Sequence, residues 1–138
     1  SAALGNAQIS RLDELLANRQ KVADWYKTYL EGLNSIEQPY IDAVTTKMSW
    51  FVYVVRVPQD VNRDKIIRKL ADKGIPARPY FAPIHLQPFM MEQFGYQSGD
   101  FPVTEDLGKR GMALPFSGVM TEKQVKLVCE TLQQVMEE

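Results

Sequence analysis

His85 is the only histidine in the chain, and an imidazole can act as a general acid or base or donate to an anionic ligand. It follows the run Gly74-Ile-Pro-Ala-Arg-Pro-Tyr-Phe81, in which the Arg78 guanidinium can grip a carboxylate or phosphate two-pronged. The prolines confine this run to a sheet edge or to a strand passing into a loop. In an extended backbone Arg78 and Tyr80 share one face, while Ile75, Ala77, Pro79 and Phe81 share the other. His85 then sits in a Pro-bracketed loop just past the Arg78/Tyr80 face, the kind of position where a rigid sheet holds binding groups.

These residues do not complete a catalytic set. No GxSxG is present, so Ser98 and Ser117 have no nucleophile elbow. The glycines form neither GxGxxG nor GxxxxGK(S/T), so no phosphate loop is present. Cys129, the single cysteine, reads as a small buried hydrophobe; with one histidine it cannot build a zinc site. The side chains alone describe an anion-competent face beside a histidine and name no reaction.

The elements that position them can be read in order. Leu4, Gln8, Leu12, Leu15, Leu16, Arg19, Val22, Tyr26, Tyr29, Leu30 and Leu33 recur at steps of three and four. That is the period of an amphipathic helix of about eight turns. It stops near Gly32, with Pro39 beyond it as a breaker. A helix this long, running from the first residues, reads as a segment of a larger protein. Trp25, Tyr26 or Leu4 would then be left as an exposed apolar strip. Residues 48–57 are β-branched and aromatic on both parities, so they read as a central strand covered on both faces. Asn62 caps a short helix with Ile66, Ile67 and Leu70 inward and Gly74 closing it. A turn and a short helix ending at Gly95 follow, then a polar loop over 97–101.

Pro102 suits the first turn of a helix whose Glu105 and Asp106 lie near its positive end. Residues 112–115 read as the last strand. Thr121 with Gln124 forms a capping box opening a helix that turns Val125, Val128, Leu132 and Val135 to the core. The expected fold is α+β, a single domain over 1–138. It has a small, mainly antiparallel sheet with helices packed on one face, preceded by a long amphipathic N-terminal helix.

With 138 residues, 45% hydrophobic and 24% charged, the chain has the make-up of one globular domain. Sixteen Lys+Arg against 17 Asp+Glu, a formal net charge of -1, lacks the basic excess of a nucleic-acid binder. Trp50, Phe51 and Tyr53 accordingly read as core rather than as a base-stacking platform. No apolar run, that over Phe51 to Val55 included, is long enough to span a membrane, so the expected setting is cytoplasmic, with no membrane partner.

Three stretches together resemble the DegT/DnrJ/EryC1/StrS aminotransferases, PLP-dependent enzymes of fold-type I acting mostly on keto sugars attached to nucleotides. The opening Ser1-Ala-Ala-Leu-Gly-Asn-Ala-Gln-Ile-Ser-Arg-Leu-Asp-Glu-Leu-Leu is similar to that family's linker helix, which would occupy 1–33. Gly74-Ile-Pro-Ala-Arg-Pro-Tyr-Phe-Ala-Pro-Ile-His-Leu-Gln-Pro resembles its segment at the active-site edge. Phe101-Pro-Val-Thr-Glu, then Ala113-Leu-Pro-Phe116 and the Thr121-capped helix, resemble its ending.

The resemblance implies the small C-terminal domain of a sugar aminotransferase, with the PLP-binding domain absent from this chain. His85, Arg78 and Tyr80 would bind and orient substrate. No residue of the chain would be catalytic, bind cofactor or bind metal, since the PLP of the full-length enzyme would sit on a lysine of the other domain. The implied partners are a nucleotide-sugar substrate, a glutamate or glutamine amino donor and a second copy in a homodimer. On that reading the chain alone is inactive. A stand-alone ligand-binding or interaction module on the same fold is the alternative.

Overall fold

The computed structural model describes residues 2–138. In chain order its elements are α1 (Ala2–Ile9), α2 (Leu12–Leu30), β1 (Tyr53–Arg56), α3 (Arg63–Asp72), β2 (Arg78–Pro79), a 3₁₀ turn (Ile84–Leu86), α4 (Pro88–Phe94), α5 (Pro102–Arg110), β3 (Gly111–Leu114) and α6 (Glu122–Glu137).

Local chemistry sets most boundaries where the sequence placed them. The Asn62 side chain accepts from the Lys65 amide at 3.0 Å and starts α3. The Gln124 side chain accepts from the Thr121 amide at 2.8 Å while the Thr121 hydroxyl accepts from the Gln124 amide at 3.4 Å. That closed capping box fixes the entry to α6. Gly95 ends α4 at φ 71°, a left-handed conformation that favours glycine. Thr121→Ala should therefore lower the unfolding free energy by about 1 kcal/mol, read from the urea midpoint.

The long N-terminal helix is present as α2, but it does not run from the first residues: α1 is separate, with a break at Ser10 and Arg11, where the Ser10 hydroxyl donates to the Ala7 carbonyl at 3.0 Å and Arg11 leaves helical backbone at ψ 13°. α1 buries none of its side chains, so no packing enforces a continuous axis through the junction. Leu4 is 66% exposed, as the strip expected there requires, whereas Tyr26 is fully buried and Trp25 packs on the core.

The three strands form an antiparallel sheet in the order β1-β3-β2. This corrects the second expectation: β3 is central and β1 lies at the side. β1 also begins late. Trp50 has φ 40°, which no extended strand tolerates, and Phe51 next to it points to solvent. The outer edge of β1 is closed by a single bridge in which Glu37 and Arg56 exchange amide-carbonyl bonds of 3.0 Å. Glu37 also takes the charge of Arg110, whose guanidinium donates to the Val57 carbonyl at 2.7 Å and to Asp106 at 2.9 Å.

One face of the sheet carries Tyr53, Val55, Met112 and Leu114, all buried against α2, α3 and α6. Tyr26 of α2 stacks on Tyr53 at 4.8 Å between ring centroids and donates its hydroxyl to the Pro115 carbonyl. Cys129 lies in the same core, and burial pushes its thiol up to about 12. The opposite face is turned away from these three helices, and its rows follow from the register: Val54–Ala113–Arg78, then Arg56–Gly111 with Tyr80 beyond β2.

Candidate functional site

The sheet face turned away from α2, α3 and α6, bordered by Leu107 of α5, and the loop that leaves it form the candidate site. β2 pairs in only two residues, but Tyr80 extends the ladder by donating its amide to the Gly111 carbonyl at 3.2 Å. Arg78 and Tyr80 therefore share the open face, as the alternation required. Arg78 is exposed and forms no ion pair among the described residues. Tyr80 lines a cavity of about 310 Å³ with Val54, Arg56 and Leu107 on the sheet face. Its other side borders a second cavity of about 300 Å³ with Phe81, Ile84 and Thr104.

His85 lies apart from this pair. It sits in the 3₁₀ turn at 7% exposure and lines a third cavity, again about 300 Å³, with Ile84, Met90, Tyr96, Phe101 and Thr104. Ile84 and Thr104 border both the His85 cavity and the second Tyr80 cavity, so the two sites adjoin across these side chains. Arg78 lines neither. The structure thus brings Tyr80 and His85 to adjoining cavities, and sets Arg78 beside Tyr80 on the sheet but not beside His85.

The residue that sequence reasoning missed is Glu105. Its helix-terminal position was legible, but its partner was not, because His85 is 20 residues away. The His85 Nε2 lies 3.0 Å from a Glu105 carboxylate oxygen, and Phe101 packs edge-on against the imidazole at 4.8 Å. The only local signal was an acid in the first turn of α5, behind a Pro-capped start and a polar loop.

The His85 bond, then the Gly99 amide and the Ser98 hydroxyl, hold the Glu105 carboxyl below the usual carboxylate range. Such a group is ionised in the folded chain at pH values where the unfolded chain has begun to protonate, below about pH 4.3. Its stabilisation is complete above that value and is lost as the pH falls through the lower, folded value. The gap in urea midpoint between the native chain and Glu105→Gln should accordingly close as the pH is taken below about 4. A gap that stays constant down to full protonation would contradict this.

Groups of three or more side chains able to hold a metal are absent among the described residues, and none of the described helices is long and apolar enough to cross a membrane. The nine lysines are exposed apart from the half-buried Lys69, and among the described residues none lines a Tyr80 or His85 cavity.

The sequence is 34% identical over 138 residues to GDP-perosamine synthase of Caulobacter vibrioides, covering 98% of this chain and 36% of that protein. It is 30% identical over 139 residues to the spore coat polysaccharide biosynthesis protein SpsC of Bacillus subtilis, covering 98% and 36%. The fold superimposes on the putative sugar aminotransferase Spr1654 of Streptococcus pneumoniae in its PLP form with TM-score 0.88 and 25% identity, over 99% of this chain and 35% of that one. The chain thus spans about a third of the length of the relatives it matches. The model of the DegT/DnrJ/EryC1/StrS aminotransferase family matches residues 1–133, and the chain belongs to that family.

Proposed function

We propose that this chain is the small C-terminal domain of a PLP-dependent aminotransferase that converts a keto group of a nucleotide-linked sugar to an amine. The observation that carries the reading is the pairing of Arg78 and Tyr80 on the sheet face turned away from α2, α3 and α6, with the His85 loop adjoining it. A face of this kind wants a partner surface, and a domain holding the cofactor would supply one across a shared pocket. That domain would hold PLP, which when bound would supply the electron sink for nitrogen transfer. The reactive lysine belongs to polypeptide outside these 138 residues.

The residues present then have binding roles. Arg78, exposed and unpaired, attracts the anionic part of the substrate. Tyr80 presents a phenol from the sheet edge, and His85 orients a polar group of the sugar. Ile84 and Thr104 line both cavities, and Phe101 lines the one beside His85. Exposed Leu4, Ile9 and Phe81 favour burial against the cofactor domain or a second copy, in keeping with a homodimer. Glutamate or glutamine is the proposed amino donor.

The test is steady-state kinetics on the full-length enzyme. Arg78→Ala should raise KM for the keto sugar about 10- to 100-fold, the equivalent of one charge-assisted hydrogen bond, and His85→Ala up to about 10-fold, the equivalent of a neutral one, each with a smaller change in kcat. Unchanged KM in both variants would remove the binding role. A reading frame that starts at Ser1 and carries no second domain would instead favour a stand-alone binding module.

A further inference from the structure

Glu105 accepts from four donors at once. His85 Nε2 stands at 3.0 Å, the Gly99 amide at 2.8 Å and the Phe101 amide at 3.4 Å from one oxygen; the Ser98 hydroxyl stands at 3.1 Å from the other. An ionised carboxylate only accepts. Its bond to a neutral imidazole therefore has one sense: Nε2 carries the proton and donates. The three remaining donors, all from residues 98–101, fix the carboxylate itself, so it acts as an anchor rather than a mobile counter-ion.

The other ring nitrogen is then bare. Nδ1 forms no hydrogen bond with the protein, yet no side-chain polar atom among the described residues is both buried and unpartnered. Nδ1 is therefore not fully buried, and His85 lines the cavity bounded by Ile84, Met90, Tyr96, Phe101 and Thr104. Phe101 at 4.8 Å and Tyr96 at 6.4 Å meet the ring edge-on and restrict its rotation. The titratable groups facing it are Glu105 from α5 and Tyr96 from the segment after α4.

We infer that Glu105 is a positioning residue: it holds His85 with Nε2 protonated and Nδ1 turned to the cavity as an acceptor for a substrate hydroxyl. This rests on the proposed sugar-binding role for the ligand class, and it changes the expected part of His85 from a donor to an anion into an acceptor from a hydroxyl. A neutral sugar ring, rather than the phosphates, is what such an acceptor recognises.

Because the chain has one histidine, its imidazole nitrogen signals are unambiguous by NMR of the 15N-labelled protein in mildly alkaline buffer. The expected result is a single neutral form with the proton on Nε2, that proton protected from exchange with water. Glu105→Ala should abolish the protection, and Glu105→Gln, which keeps an acceptor oxygen, should restore part of it. A proton found on Nδ1 in the native chain, or a protected Nε2 proton that survives Glu105→Ala, overturns the inference. The native spectrum decides even where a variant fails to fold. These readouts contain no substrate, so they stand or fall apart from the KM test of His85→Ala in the full-length enzyme, whose failure would remove the sugar and leave the anchored imidazole.

Discussion

Replacing Gly111 with alanine lowers the stability of the domain by about 3 kcal/mol and detaches Tyr80 from the sheet. The cause is space and not conformation, since Gly111 has an ordinary φ of -69°. A Cβ there would stand 2.4 Å from the Tyr80 carbonyl oxygen and 2.6 Å from that of Leu107. Both are main-chain atoms, so neither can rotate aside. Relief requires moving β2's extension away from β3, which breaks the bond from the Tyr80 amide to the Gly111 carbonyl. Arg63 holds that carbonyl too, at 2.7 Å, along with the Gly108 carbonyl at 3.1 Å, and so resists the shift. The urea midpoint should fall and the Tyr80 amide should exchange faster with solvent. Gly32, where a Cβ meets nothing within 4 Å, is the control, and alanine there should change stability by less than about 0.5 kcal/mol. Equal effects at the two positions would contradict the packing argument.

Tyr26→Ala should cost about 4 kcal/mol, the range for removing a buried aromatic side chain. Tyr26 has no exposed surface, stacks on Tyr53 at 4.8 Å and on Phe116 at 6.4 Å, and donates to the Pro115 carbonyl. It joins α2 to the segment after β3, so its loss loosens the helical layer from the sheet. Tyr26→Phe separates the two contributions: it keeps the ring and strands the carbonyl, at a cost of about 1 kcal/mol. Chemical denaturation of both variants checks the ratio. A phenylalanine variant as damaged as the alanine one would place the energy in the hydrogen bond instead of the packing.

Features set by neighbours in sequence were legible before the fold was known. The Asn62 and Thr121 caps, the Gly95 stop and the Pro102 start each depend on chemistry within about one helical turn. The alternation that put Arg78 and Tyr80 on one face held for the same reason. What failed depended on distance. The apolar period runs unbroken through Ser10 and Arg11, but α1 finds nothing to pack on, and an amphipathic stripe without a partner does not dictate a continuous helix. Residues 48–57 looked central because apolar side chains occur on both parities. Sheet order is instead set by which strands find β3, and by the Glu37 bridge that closes the far edge of β1.

The same limit applied within the site. His85 announced itself as the sole histidine and Arg78 by its place among prolines. Glu105 did not, since a carboxylate at a helix start has an adequate local explanation in the helix dipole. Only the fold brings residues 98–105 back against the 3₁₀ turn. Family likeness supplied the proposed cofactor and substrate class, which no spacing of these side chains encodes.

The central claim is that these 138 residues form the edge of a pocket whose reactive amine lies elsewhere in the polypeptide. Its most direct test is to treat the full-length protein with PLP, reduce with borohydride and map the modified lysine by peptide mass spectrometry. The account predicts one stoichiometric pyridoxyl-lysine in sequence that this chain does not contain. A stoichiometric adduct on any of the nine lysines between Lys21 and Lys126 would contradict it.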